Sequence, residues 1–81
     1  MSEVKVFTLP DLGEGLTEGQ ITDVLVSEGD TVKLLQPLVE VETDKASSEL
    51  TSPWKGTVTK VHVAVGDWID VGAGIVDITV G

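Results

Sequence analysis

The sequence of 81 residues contains no cysteine, which excludes disulfide bonds, a thiolate nucleophile and cysteine-based metal sites. Its one histidine, His62, does not make a zinc site alone, because such sites combine several protein ligands. Ser47 and Ser48 have no histidine and acid nearby in sequence that would make either of them a nucleophile. We therefore predict no metal site and no catalytic residue.

Arginine is also absent, so five lysines stand against fourteen acidic residues and the net charge is −9. Binding to a polyanion needs clustered cations that release counterions, and the sequence has no such cluster. Nucleic acid and anionic membrane surfaces are therefore poor partners. The acidic balance favours solubility and suppresses self-association, and we expect the isolated domain to be monomeric.

No apolar run approaches the roughly 18 residues of a membrane-spanning helix. The opening segment, MSEVKVFTLP, lacks the apolar stretch of a secretory signal. We expect a cytoplasmic location, or the mitochondrial matrix if a presequence has been removed. The length predicts one small domain over residues 1–81, with room for a packed core but not for a deep catalytic cavity.

The clearest pattern that is present is an internal repeat with an offset of 37 residues. The segment GQITDVLVSEGDTVKLLQPLVEVET (19–43) aligns with GTVTKVHVAVGDWIDVGAGIVDITV (56–80). Identical pairs are Gly19/Gly56, Thr22/Thr59, Val24/Val61, Val26/Val63, Gly29/Gly66, Asp30/Asp67 and Val39/Val76. Two copies are too few for a solenoid, which needs about three repeats. The repeat instead predicts pseudo-twofold symmetry, with two halves that interlock because neither buries its apolar face alone.

Apolar and polar residues alternate within each copy, which is typical of β-strands. We predict strands over 4–9, 31–33, 38–43, 47–51, 68–70 and 75–80, and further strands in which Val24, Val26, Val61, Val63 and Val65 face inwards. Ile21 and Val58 fall out of this alternation at equivalent places, which predicts a bulge in both halves. Glycine-containing turns follow at 27–30 and 64–67. The fold class is therefore all-β: a flattened barrel or sandwich of two small antiparallel sheets, without a helix.

The segment that joins the two copies predicts a β-hairpin. Val39 and Val41 face inwards before the break at Asp44-Lys45-Ala46, and Ser48 and Leu50 form the inward set after it. Lys45 then lies at the hairpin tip and projects into water. A lysine in a turn is ordinarily a solubilising surface residue, and its position alone leaves that interpretation open.

Five segments resemble, in order and over nearly the whole chain, the lipoyl domain of the 2-oxo acid dehydrogenase acyltransferases. They are TLPDLGEGLTEGQI (8–21), SEGDTV (27–32), VETDKASSELTSP (41–53), GTV (56–58) and VGDWIDVGAGI (65–75). The resemblance implies that Lys45 carries lipoic acid as an amide, and that the modifying enzyme reads its neighbours Asp44 and Ala46. It also implies that the loop containing Gly13, Glu14 and Gly15 lies near the lysine and helps a decarboxylase to recognise its carrier. The Gly-Glu-Gly sequence resembles the pyruvate and branched-chain types.

The same resemblance implies a carrier that is not catalytic alone and belongs to an acyltransferase. Its lipoyl group would accept an acyl group by reductive acylation from a 2-oxo acid decarboxylase, deliver it for transfer to coenzyme A and then be reoxidised. The implied partners are a lipoate ligase or lipoyl transferase, the decarboxylase, an acyltransferase core and dihydrolipoamide dehydrogenase. The acidic neighbours Glu42 and Asp44 agree with this role, because they stabilise the lysine cation, whereas a Schiff-base lysine needs the neutral amine.

Other functions remain open at this point. A biotinyl carrier domain of a carboxylase would share the fold, but that family has Met on both sides of the lysine where this chain has Asp44 and Ala46. A glycine-cleavage carrier would be longer, and an unmodified structural domain is the simplest alternative. Trp54 and Trp68 are both expected to pack in the core or at its rim, and stacking against a ligand is the alternative role for each.

Overall fold

The computed structural model describes residues 3–13, 15–44 and 46–81. Its eight strands are β1 (Glu3–Thr8), β2 (Glu18–Val24), β3 (Thr31–Val32), β4 (Pro37–Glu42), β5 (Ser47–Thr51), β6 (Gly56–Val61), β7 (Trp68–Asp70) and β8 (Gly74–Val80). The described residues form no helix, and so none with the length and apolar character that crossing a membrane requires. The predicted all-β class is confirmed.

The strands form two four-stranded antiparallel sheets, ordered β1-β8-β6-β3 and β5-β4-β2-β7. With the 37-residue offset, β2, β3 and β4 correspond to β6, β7 and β8. The two sheets therefore have the same order of equivalent strands. Each sheet takes two central strands from one half of the chain and both edge strands from the other half. The predicted pseudo-twofold sandwich is confirmed, as two separate sheets and not a closed barrel.

The two glycine turns lock the halves together. Gly29 and Gly66 adopt φ values of 93° and 96°, which a residue without a Cβ reaches at low cost. The Gly29 amide donates a hydrogen bond to the Val58 carbonyl, and the Gly66 amide donates one to the Ile21 carbonyl, both at 2.7 Å. Each turn thus bonds to a strand of the other half, which is the interlocking that the repeat predicts.

Both predicted bulges are present and lie at equivalent positions. The register of β2 against β4 shifts between Ile21 and Asp23, and that of β6 against β8 shifts between Val58 and Lys60. Ile21 and Val58 are fully buried. The extra residue in each strand therefore lets a side chain that breaks the alternation still point into the core.

The core lies between the sheets and consists of Leu9, Ile21, Val26, Val32, Leu38, Val39, Val41, Leu50, Val58, Ile75, Val76 and Ile78. The inward placement predicted for Val39, Val41 and Leu50 is confirmed, but that of Ser48 and Val65 is wrong. Ser48 lies opposite Val41 and shares its face, yet it is exposed on an edge strand near the hairpin end. Val65 is exposed because β6 ends at Val61 and Val65 belongs to the following turn.

Leu35 occupies a strained turn between β3 and β4. It is the one non-glycine residue with positive φ, 66°, in the part of the chain that the structure describes, and 67% of it is exposed. The equivalent residue of the second half is Gly72, with φ 92°. The left-handed conformation costs a non-glycine residue about 1–2 kcal/mol, and the exposed side chain gains little burial in return.

Leu35→Gly is therefore expected to raise the free energy of unfolding by about 0.5–1 kcal/mol, after allowance for the greater freedom of glycine in the unfolded chain. Leu34→Gly is the matched control, because Leu34 is similarly exposed but has an ordinary φ. The control should lower stability by up to about 1 kcal/mol. Urea unfolding of the three proteins measures the difference, and equal losses for both variants would contradict the strain.

Candidate functional site

The β4–β5 hairpin ends in a turn that Thr43 and Ala46 close. The Thr43 amide donates a hydrogen bond to the Ala46 carbonyl at 2.8 Å, and the Thr43 hydroxyl donates to the same oxygen at 3.1 Å. Asp44 and Ala46, the described neighbours of Lys45, are both exposed. Lys45 itself and Glu14 lie outside the described residues, so their predicted positions stay predictions.

Carboxylates follow one another across the outer face of the hairpin's sheet. Asp23 of β2 lies opposite Glu40 of β4, which in turn lies opposite Glu49 of β5. Like charges directly opposite each other destabilise a sheet, so this row has an energetic cost. With Glu42 and Asp44 nearer the tip, it gives the hairpin a negative potential that attracts cationic groups.

A cleft lies beside the hairpin turn, and we call it the Trp68 cleft. It has a volume of about 520 Å³, including the part open to solvent, and is lined by Gly15, Leu16, Thr17, Glu18, Thr43, Asp44 and Trp68. Trp68 on β7 lies opposite Gln20 on β2, which lies opposite Glu42 on β4. Directly opposed residues share a face of the sheet, so Trp68 and the last residue of β4 face the same way.

The loop between β1 and β2 brings its second half to this cleft. The connection from Thr8 to Gly19 is six residues longer than the connection from Thr51 to Gly56. The two connections are equivalent, because Thr8 and Thr51 occupy the same place in their sheets, as do Gly19 and Gly56. Buried Leu9 anchors its start. At its end, the Thr17 carbonyl accepts a hydrogen bond from the Val71 amide at 2.9 Å. The additional residues therefore form a loop fixed at both ends.

The predicted recognition residues are divided between two surfaces. Gly15 and Asp44 line the Trp68 cleft. Glu42, Asp44 and Ala46 border a separate shallow depression on the hairpin itself. Gly13 borders neither of these two, although its φ of 81° shapes the loop that leads to Gly15. Of these predicted residues, Asp44 lines both surfaces, as Thr43 before it also does, and Asp44 directly precedes Lys45 in the sequence.

Trp68 is the site residue for which the sequence analysis favoured a packing role over ligand stacking. The packing role expected for Trp54 is confirmed, since its ring packs edge-on against Phe7 with centroids 6.5 Å apart. For Trp68 the same expectation is wrong, because 57% of the residue is exposed. A signal was present in the repeat: the residue equivalent to Trp68 is Thr31, a polar residue, and it is exposed as well.

Comparisons with known proteins agree with the geometry. The model of the Biotin_lipoyl family, described as "Biotin-requiring enzyme", matches residues 5–78. The dihydrolipoyllysine-residue acetyltransferase component of the pyruvate dehydrogenase complex of Corynebacterium glutamicum is 48% identical over 67 residues, which are 83% of this chain and 10% of that protein. Its counterpart in Mycoplasma genitalium is 46% identical over 66 residues, 82% of this chain and 17% of that protein.

The lipoamide acyltransferase component of the branched-chain alpha-keto acid dehydrogenase complex of Bacillus subtilis is 41% identical over 69 residues, 85% of this chain and 16% of that protein. The chain thus spans less than a fifth of the length of these three relatives. The resemblance inferred from the sequence motifs is confirmed. The chain belongs to the Biotin_lipoyl family, as a lipoyl domain of the kind found in the acyltransferase components of 2-oxo acid dehydrogenase complexes.

Proposed function

We propose that this chain is a carrier domain that holds a lipoyl group in amide linkage to Lys45 and is not catalytic on its own. The observation that carries the proposal is the hydrogen-bonded turn between Thr43 and Ala46, in which the described neighbours of Lys45 are exposed. An enzyme that modifies the lysine would therefore meet a turn whose two ends, Thr43 and Ala46, are joined by hydrogen bonds.

The described surroundings fit a lipoyl arm. The Trp68 cleft next to the hairpin counts Trp68 and Leu16 among its lining residues, which are partners for an apolar ring, beside the acidic residues Glu18 and Asp44. A bound lipoyl group supplies the reversible sulfur chemistry and acyl-carrying capacity that a chain without cysteine lacks. The residues of the chain supply position: Thr43 and Ala46 fix the turn, and Gly15 and Asp44 border the space beside it.

Position distinguishes Lys45 from the other four lysines better than exposure does. Lys33, Lys55 and Lys60 are exposed, so an accessible amine alone would not select one residue. Lys60 lies within β6, and Lys5 lies within β1, where its ammonium forms an ion pair with Glu3 at 2.9 Å. A ligase that reads a hairpin tip with its flanking residues would pass over these strand lysines.

We further propose that the domain functions within an acyltransferase and exchanges acyl groups with a 2-oxo acid decarboxylase, an acyltransferase core and dihydrolipoamide dehydrogenase. The names of the relatives, which are components of pyruvate and branched-chain dehydrogenase complexes, support these partners. A lipoate ligase or lipoyl transferase would load the group. The flanking residues Asp44 and Ala46, in place of two methionines, favour lipoyl over biotinyl attachment.

Incubation with a lipoate ligase, lipoic acid and ATP is expected to add one lipoyl group, at Lys45. Lys45→Arg should abolish the addition while changing the free energy of unfolding by no more than about 0.5 kcal/mol, as for ordinary surface substitutions. Lys33→Arg and Lys60→Arg are the controls and should be modified as fully as the natural chain. Intact mass and peptide mapping give the answer. A lipoyl group on another lysine, or modification of Lys45→Arg, would contradict the proposal.

A further inference from the structure

We propose that the Trp68 cleft is a resting site for the dithiolane ring at the end of the lipoyl arm, an inference that rests on the proposed function of Lys45. In this state the ring would lie against the Trp68 indole, beside Leu16, instead of moving freely in solvent. The site is thus a binding site of the domain for its own prosthetic group.

The cleft begins next to the attachment point. Asp44 lines it and directly precedes Lys45, so the backbone to which the arm is joined lies one residue from the cleft wall. Trp68 and Glu42 are separated by one intervening strand, which corresponds to two strand spacings or roughly 10 Å. Asp44 and Trp68 line the same cleft, so a lipoyl arm attached at the residue after Asp44 has the width of this cleft to cross before its ring meets Trp68.

The exposure of Trp68 is not a requirement of the fold. The pseudo-twofold places Thr31 at the equivalent position of the other sheet, and a threonine there forms the same antiparallel edge. A tryptophan that is 57% exposed and lines a cleft is therefore an addition particular to the sheet that carries the hairpin. The sheet without the hairpin has no such residue at that place.

Of the seven described residues that line the cleft, Trp68 and Leu16 offer contacts to a sulfur-containing ring, and Glu18 and Asp44 give the rest of the lining a polar, acidic character. Polarizable sulfur makes favourable contacts with aromatic rings, and such a contact corresponds to a preference of about two- to tenfold for the docked over the free ring. Leu16 adds apolar surface, and the cleft is open to solvent, so the ring would leave readily. A preference of this size holds the ring near the 15–18 loop without preventing its capture by a partner.

The protein contains two tryptophans, so its indole N–H groups give two signals in a nitrogen–proton NMR spectrum, and one is an internal control. On lipoylation, confirmed by intact mass, the Trp68 signal is expected to shift and the Trp54 signal to stay, because Trp54 packs against Phe7 on the other sheet. A domain that takes up no lipoyl group would overturn the proposed function and the resting site with it. A lipoylated domain with an unmoved Trp68 signal would overturn the resting site alone.

Trp68→Thr, which installs the residue of the equivalent position, provides a second measurement. Because a docked ring is shielded, a phosphine should reduce the lipoyl group of this variant about two- to tenfold faster than that of the natural domain. Val65→Thr is the matched control, because it also replaces an exposed apolar residue with threonine. Val65 lies in the turn before β7 and is not among the residues that line the cleft. Its reduction rate should be unchanged. Equal rates for Trp68→Thr and the natural domain would overturn the proposal.

Discussion

Gly56→Ala is expected to be the most destabilising small substitution in this protein and to leave much of the chain unfolded. A Cβ at this position would meet the backbone carbonyl oxygen of Thr79 on β8 and approach Ile78 Cγ2 to 2.9 Å. Backbone held in a sheet cannot move aside without breaking the β6–β8 pairing at the centre of that sheet. We expect a loss of at least about 3 kcal/mol, the upper end for overpacking. That is a large part of the roughly 4–12 kcal/mol available to a domain of this length.

Gly19→Ala is the matched control, because Gly19 is the equivalent residue of the first half. Its added Cβ would approach Val41 Cγ1 to 2.5 Å, but its nearest backbone atom, the Glu42 carbonyl oxygen, is 3.5 Å away. A side chain can adjust where a backbone cannot, so we expect a loss of about 1–3 kcal/mol. Urea unfolding followed by circular dichroism ranks the two variants. If Gly56→Ala were as stable as Gly19→Ala, the assigned close approach of β6 and β8 would be wrong.

Moving the lysine by one position is expected to remove nearly all lipoylation, although the amine stays in the same turn. In the double variant Asp44→Lys with Lys45→Ala, the amine would leave from a residue that lines the Trp68 cleft. Side-chain direction reverses with each step along a strand, and a tight turn increases the displacement. The mass spectrum after treatment with a lipoate ligase measures the effect. Full lipoylation of the shifted lysine would mean that position is not what the ligase recognises.

Exchanging the residues on either side of Lys45 tests whether the ligase recognises these neighbours as well as the position of the lysine. Asp44→Met with Ala46→Met should keep the fold, because both residues are exposed, but should lose much of the lipoylation and gain some biotinylation in the presence of a biotin ligase. Ser47→Met with Ser48→Met is the control, since it places two methionines on exposed positions of the same hairpin. That control should be lipoylated normally and not biotinylated. The same outcome for both double variants would show that the immediate neighbours of Lys45 are not read.

The internal repeat predicts the pairing of the halves and the location of both bulges. An apolar residue breaks the alternation at the equivalent place in each copy, and a bulge is what turns such a residue towards the core. Ile21 and Val58 are the evidence, since each is fully buried beside a register shift. The alternation of apolar and polar residues says less about whether a side chain is buried. Ser48 lies on the same face as Val41 but is exposed, because period two gives the direction of a side chain and not whether another layer covers it.

The cleft could not be derived from local pattern, because its walls come from three separate parts of the chain. Leu16, Asp44 and Trp68 meet through the pairing of β7 with β2 and the anchoring of the β1–β2 loop, both of which are tertiary. Residue type misled for Trp68, since a large aromatic residue is usually a packing residue. The equivalence with Thr31 is the stronger indicator that Trp68 is exposed. A strand edge that accepts a polar threonine in one sheet does not need a buried side chain at the same place in the other.

The strand order also determines how the chain can fold. Of the six strand pairings, β4–β5 is the one that joins strands consecutive along the chain, whereas β1 must find β8. A hairpin forms in about 1–10 µs, but sheets built from distant segments fold in milliseconds to seconds because loop closure must precede the contacts that stabilise them. The hairpin bearing Lys45 is thus the pairing that can form earliest. Since an isolated hairpin is marginally stable at best, its persistence depends on the slow assembly of both sheets.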